Sequence, residues 1–202
     1  MKIYDTKTAP SPRRVRVFLA EKNIPMEYIQ VDLQKGENIS AEMRVKNPVG
    51  KIPVLELDDG TCISEAASIC LYFEQLYPEI NLLGETPLEK AQIDMWHRQV
   101  ELYFFGQVGM CFQHTTGYFK DRMTPVKEYG EVAGKNAQGF LNLLEKRLAD
   151  SEFIAGDRFT IADITAMCTV DFARVVKIKI SDEQPNLQRW YAAVSSRPSA
   201  KA

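Results

Sequence analysis

The chain has 202 residues, 45% of them hydrophobic and 26% charged, with a formal net charge of −2. That length holds one large domain or two small ones, and the apolar fraction is enough to bury a core. The near-neutral charge offers no footprint for nucleic acid or an anionic membrane surface. No apolar run approaches the roughly 18 residues of a membrane span, and MKIYDTKTAP lacks the apolar segment of a secretory signal. Cys62, Cys70, Cys111 and Cys168 lie far apart and form no CxxC pair, and there are only two histidines. A metal site is therefore not expected, and the cysteines read as free thiols, mostly core filler, in a reducing cytoplasm.

In chain order, KIYD at 2–5 is a short strand candidate, followed by the turn-rich TKTAPSP. PRRVRVFLAEKN then reads as a helix. Val15, Phe18, Leu19 and Lys22 fall at helical spacing, Pro12 suits the first helical position with Ser11 as its cap, and Asn23 can close the end. MEYIQVDL at 26–33 has the β-branched and aromatic content of a second strand. SAEMRVKN at 40–47 reads as a short helix capped by Ser40 and stopped before Pro48. Pro53–Leu57 and Thr61–Ile63 flank Asp59-Gly60, a hairpin signal. Ser64 is placed as the cap of a helix running to Tyr77.

Strand signals then almost vanish. PEINLLGETP is a linker, followed by helical stretches at 88–118 and 125–149, a helix after FIAGDRFT to about Val176, and a last one in PNLQRWYAAVSS. Gly106, Gly109, Gly130, Gly134 and Gly139 are costly inside a helix and suggest close backbone packing or local breaks. Thr160-Ile161-Ala162-Asp163 has the form of a capping box and reads as structural, with about 1 kcal/mol expected for either end. The order is β-α-β-α-β-β-α and then all α.

Three stretches carry chemistry. Arg13, Arg14 and Arg16 crowd the first turns of the first helix, where the dipole disfavours cations. They face an anionic ligand, a carboxylate of another element, or only surface ion pairs. At Lys51-Ile52-Pro53, a proline begins a strand. If this X–Pro bond is cis, a state of only ~5–6% of such bonds, the N–H and C=O of Ile52 point sideways and can pair with an extended peptide. At Ser64-Glu65-Ala66, an acidic side chain opens a helix. That is favourable by itself, yet the same pair can hold an amino-acid end, the carboxylate binding the ammonium and the local N–H groups the carboxyl.

These motifs resemble, together and over nearly the whole chain, the bacterial cytosolic glutathione S-transferase family: SPRRVRVFLAEK, NPVGKIPVL and ISEAASICLYFEQLYP in the first half, FIAGDRFTIADITA and PNLQRWYAAVSSRPS in the second. The resemblance implies an α+β thioredoxin-like domain at 1–80, a linker at 81–86 and an all-α domain at 87–202. It also implies a cis Ile52-Pro53 bond, a homodimer, and glutathione as co-substrate bound by Lys51, Ile52, Pro53, Glu65 and Ala66. The family usually has serine where this chain has Ala66. Its usual catalytic serine or cysteine falls on Ala9, which leaves Ser11, or Thr8, to activate the thiol. Ser11 is the residue we assign. A small apolar electrophile is expected against Tyr103, Phe104, Met110, Cys111, His114 and Tyr118, each of which also reads as an ordinary helical core position. Conjugation is the expected activity. A glutathione-dependent disulfide-bond reductase or peroxidase, and a non-catalytic binding protein on the same scaffold, are the alternatives, the last because a fold does not by itself establish catalysis.

Overall fold

The computed structural model describes residues 1–202. The chain divides into two compact units, Met1–Asn81 with Lys201–Ala202, and Leu82–Ala200. The expected linker is thus largely part of the second unit, and the last two residues belong to the first.

In the first unit the strands are β1 (Lys2–Asp5), β2 (Glu27–Gln30), β3 (Val54–Glu56) and β4 (Cys62–Ser64), in sheet order β2-β1-β3-β4. β1 and β2 are parallel, joined by the crossover helix α1 (Pro10–Glu21). β3 is antiparallel to both β1 and β4. Side chains alternate across this sheet. Tyr4 and Val54 are paired across β1 and β3 and share one face with Val31, Met43 of α2 (Ala41–Lys46) and Ile52. Ile3 and Leu55, paired on the other face, are fully buried. α1 and α3 (Ala66–Leu76) pack on each other, burying Val15, Phe18, Leu19, Ile69 and Phe73.

The expected strand at 26–33 is only four residues long, because the chain turns at Asp32, whose carboxylate accepts from the N–H groups of Gln34 and Lys35. Ser40 caps α2 through Met43 N–H as expected. Lys22 shares the buried stripe of α1, its ammonium held by Glu74 at 2.7 Å and by the carbonyls of Tyr77 and Ile80. Asn23 ends the helix with φ of 56°, the left-handed turn that Asn tolerates.

The second unit holds α4 (Pro87–Gln99), a π-helical segment (Val100–Phe105), α5 (Gly106–Thr115), α6 (Lys127–Arg147), α7 (Ile161–Ala173) and α8 (Pro185–Ser195). α7 is buried on nearly every side and touches α4, α5 and α8, as expected of a helix apolar all round. The capping box of Thr160 and Asp163 is present. Asp163 is fully buried and does more than cap. It accepts from the N–H groups of Ile154 and Thr160, from Thr160 Oγ1, and from Trp190 Nε1 at 2.8 Å. Burial pushes its carboxyl above the usual range against the pull of those bonds. His97 is also a core group, paired to Thr165 Oγ1 at 3.0 Å. All four cysteines are free, and three of them are buried. No helix is long and apolar enough to cross a membrane.

Candidate functional site

Sheet topology brings the three chemical stretches to one end of the first unit. β1 runs antiparallel to β3, so the end of β1, which leads into α1, lies beside the start of β3. The register pairs Tyr4 with Val54 and Val54 with Ser64. Continued by one position, that register sets Pro53 opposite Asp5 on one side and Glu65 on the other, and the Ser11, Ile52 and Glu65 segments all emerge at the same sheet end.

The loop from β1 into α1 is fixed by side chains. Asp5, only 1% exposed, pairs with Arg16 and accepts from Gln30 Nε2 at 2.8 Å. Arg16 also donates to Lys7 O, while Lys7 N–H donates to Gln30 Oε1. Arg16 thus takes the second of the three roles open to the arginines, neutralising a carboxylate of β1. The helix begins two residues earlier than expected. Ala9 is the N-cap, Pro10 the first helical residue, and Ser11 lies inside the first turn. Ser11 is therefore not the cap, because the prolines at 10 and 12 pull the start of the helix forward. Neither proline has an N–H, so Ser11 carries the first free backbone donor of the helix. Its Oγ accepts from the buried Arg14 at 2.9 Å, which leaves the hydroxyl proton to donate elsewhere. Thr8, the other hydroxyl considered, is exposed in the loop.

The Ile52-Pro53 peptide is cis. The Ile52 side chain is anchored in the core with Tyr4 and Val54, and its N–H and C=O have no hydrogen-bond partner within the chain. Lys51 is exposed beside it. Glu65, also exposed, has φ of 68° and is the N-cap of α3. Ser64, expected to be that cap, is instead the last residue of β4 and pairs with Val54. The left-handed backbone at Glu65 costs roughly 1–3 kcal/mol, the kind of strain that functional sites retain. Ala66 is the first residue of α3 and 3% exposed. Its N–H, like those of Ala67 and Ser68, has no partner one turn back.

The expected second-substrate residues all lie in the second unit and have different fates. Phe104 is fully buried and stacked on Phe140 with centroids 5.8 Å apart. Cys111 is buried against Gly134 on α6. Both are core, because the face of the helix that carries them packs inward, and they offer no surface to a ligand. His114 Nδ1 accepts from Val126 N–H at 2.9 Å and its ring meets Tyr129 edge-on, so it holds the start of α6. Met110 is half-buried, and Tyr103 and Tyr118 are exposed. No group of His, Cys, Asp and Glu is arranged to hold a metal ion.

Family models for the glutathione S-transferase N-terminal domain and C-terminal domain match residues 3–81 and 109–198. The chain belongs to the glutathione S-transferase family. It is 38% identical to glutathione S-transferase 2 of Saccharomyces cerevisiae, over all of this chain and 88% of that one. The crystal structure of Gtt2 from the same yeast matches with a TM-score of 0.96, covering 100% of this chain and 99% of that one at 38% identity. A glutathione S-transferase domain-containing protein of Marinobacter aquaeolei matches with a TM-score of 0.95 at 39% identity, covering 98% and 99% of the two chains. Relatives thus include yeast as well as bacterial proteins. The thioredoxin-like unit followed by a helical unit is the architecture of this family. Sequence reasoning missed Gln30, Asn38 and Asn47, which shape the site's loops. Their only sequence signal was polar residues on short elements that otherwise bury apolar faces.

Proposed function

We propose that the chain conjugates the thiolate of glutathione to small apolar electrophiles, working as a cytoplasmic homodimer. The reading rests on one observation: the free backbone edge of Ile52, the exposed carboxylate of Glu65 and the donors of Ser11 emerge at one end of one sheet. An extended tripeptide pairs its cysteine backbone with Ile52. Its γ-glutamyl ammonium meets Glu65 and its carboxylate the N–H of Ala66 at the start of α3. Lys51 stands beside this edge as a further contact. The thiol then faces Ser11. A hydroxyl and a backbone N–H at a helix start stabilise the thiolate, lower the thiol pKa and leave a strong nucleophile. No general base is required. The sulfur lone pair forms the new bond to the electrophilic carbon as its leaving group departs, and holding the two reactants together supplies the rest of the acceleration. Tyr103, Met110 and Tyr118 are the expected electrophile contacts that retain accessible surface.

Glutathione binding by calorimetry, followed by turnover with an aromatic halide and with a small disulfide, tests the reading. Binding with halide turnover is the expected result. Binding with disulfide turnover alone would replace conjugation by a reductase, and absence of binding would make the chain a scaffold without this chemistry.

A further inference from the structure

Between α2 and β3 the chain makes a tight loop, 47–52, three of whose carbonyls are taken by side chains. Arg44 Nη1 donates to Pro48 O at 2.9 Å. Asn38 Nδ2 donates to Gly50 O at 2.7 Å, and Asn47 Nδ2 to Lys51 O at 2.8 Å. Asn47 Oδ1 also accepts from Val49 N–H at 3.1 Å. Both asparagines are buried, at 8% and 2% exposure. The next peptide groups along the chain, the N–H and C=O of Ile52, are left without a partner.

Stability alone does not explain Asn38. Its Oδ1 is buried with no hydrogen-bond partner, a cost that offsets much of what its bond to Gly50 O contributes. Turning the amide over is no remedy, because Oδ1 would then oppose the carbonyl of Gly50. What the amide provides is a fixed direction for that carbonyl. Gly50 has φ of 68°, and a Cβ there would stand 3.1 Å from Ile39 Cγ2. The turn is thus held by its neighbours as well as by its own backbone.

We propose that Asn38 and Asn47 are positioning residues for glutathione: by fixing two consecutive carbonyls they set the peptide planes leading into Ile52, and so aim its free N–H and C=O at the tripeptide backbone. This rests on the function proposed above. Neither asparagine touches the ligand. Their effect falls on glutathione binding, not on thiol chemistry or on the electrophile.

Asn47→Asp keeps the acceptor for Val49 N–H and replaces the donor to Lys51 O by a carboxylate oxygen that repels it, so the carbonyl loses its fixed direction. Asn38→Leu removes both the donor and the orphan acceptor. In each variant the KM for glutathione and the Kd for S-methylglutathione, an unreactive analogue, rise about tenfold, as expected for one lost hydrogen bond. kcat at saturating glutathione and the KM for an aromatic halide stay within about twofold. In Asn38→Leu the loss of the orphan Oδ1 offsets the loss of the donor to Gly50 O, so Tm changes little while affinity falls, an outcome that a merely structural asparagine does not give. Should Asn38→Leu fail to fold, Asn38→Ser provides the same comparison with a smaller side chain. Unchanged glutathione KM in both variants, or a parallel fall of kcat, affinity and Tm, would overturn the proposal. A wild-type protein that fails to bind S-methylglutathione would instead overturn the glutathione reading itself.

Discussion

Ser11 owes its position to its neighbours. Prolines on both sides start the helix early and remove the competing donors, and Arg14 occupies an oxygen lone pair, which leaves the hydroxyl proton free to donate to a ligand. Ser11→Ala is expected to lower kcat/KM by roughly 10- to 100-fold and to raise the thiol pKa in the complex by about one unit. A pH–rate profile, together with thiolate absorbance, would show both, and an unchanged profile would remove Ser11 from the mechanism. Asp163 is the opposite kind of residue, wholly structural. Four donors converge on its buried carboxylate, so Asp163→Ala should cost about 3 kcal/mol in urea unfolding, against about 1 kcal/mol for Thr160→Ala. A value of about 1 for both would mean that the contacts with Trp190 and Ile154 add nothing to the cap. The sequence motif announced the cap. It could not announce the two long-range donors, which come from residues 9 and 27 positions away.

Two of the three glycines of helix α6 look alike in sequence and behave differently in the fold. A Cβ on Gly130 would lie 2.7 Å from Thr115 Cγ2 and 2.9 Å from His114 Cβ, because α5 and α6 approach closely there. A Cβ on Gly139 would meet nothing within 4 Å. Gly130→Ala should therefore destabilise by about 1–3 kcal/mol despite its better helix propensity, while Gly139→Ala should stabilise by about 0.5–1 kcal/mol. Thermal melts of the two variants moving in the same direction would refute this account. The elements themselves were legible: Asp59-Gly60 marked the hairpin, Ser40 the start of α2, and the shift from β-branched alternation to helical spacing the change of architecture. Their ends were less so. Pro10 at a helix start and the left-handed backbone at Glu65 each moved a boundary, since both depend on local geometry that composition does not carry.

At the scale of the whole molecule, the two-part organisation could be read from the loss of strand signals after residue 80. The site was legible only in part, because its parts are separated by about 50 residues in sequence and are joined by register alone. A cluster outside the site ties α2 to the sheet. Glu56 pairs with Lys46 at 2.7 Å and accepts from Tyr4 Oη at 2.7 Å. The Lys46 hydrogen bond, followed by that of Tyr4, lowers the Glu56 carboxyl from 4.5 to about 2. A carboxyl whose folded pKa is depressed adds stability above its unfolded value and loses it as pH falls through the folded one. Stability should therefore fall between about pH 4.5 and 2, by about 1–2 kcal/mol from this partly exposed group. In Glu56→Gln that part of the acid slope should disappear from urea titrations, and an unaltered slope would assign it to other carboxylates. Sedimentation at several concentrations checks the proposed homodimer, for which a monomer at micromolar concentration is the contrary result.

The prolines around Ser11 have a spectroscopic consequence. Neither contributes a signal to an amide proton–nitrogen correlation spectrum, so Ser11 gives a single cross-peak with a silent residue on each side. That isolated resonance stands at the end of the helix where the sulfur is expected. Titrated with pH in the presence of glutathione, it should shift with the ionisation of the thiol and report the chemistry atom by atom, without a turnover being measured.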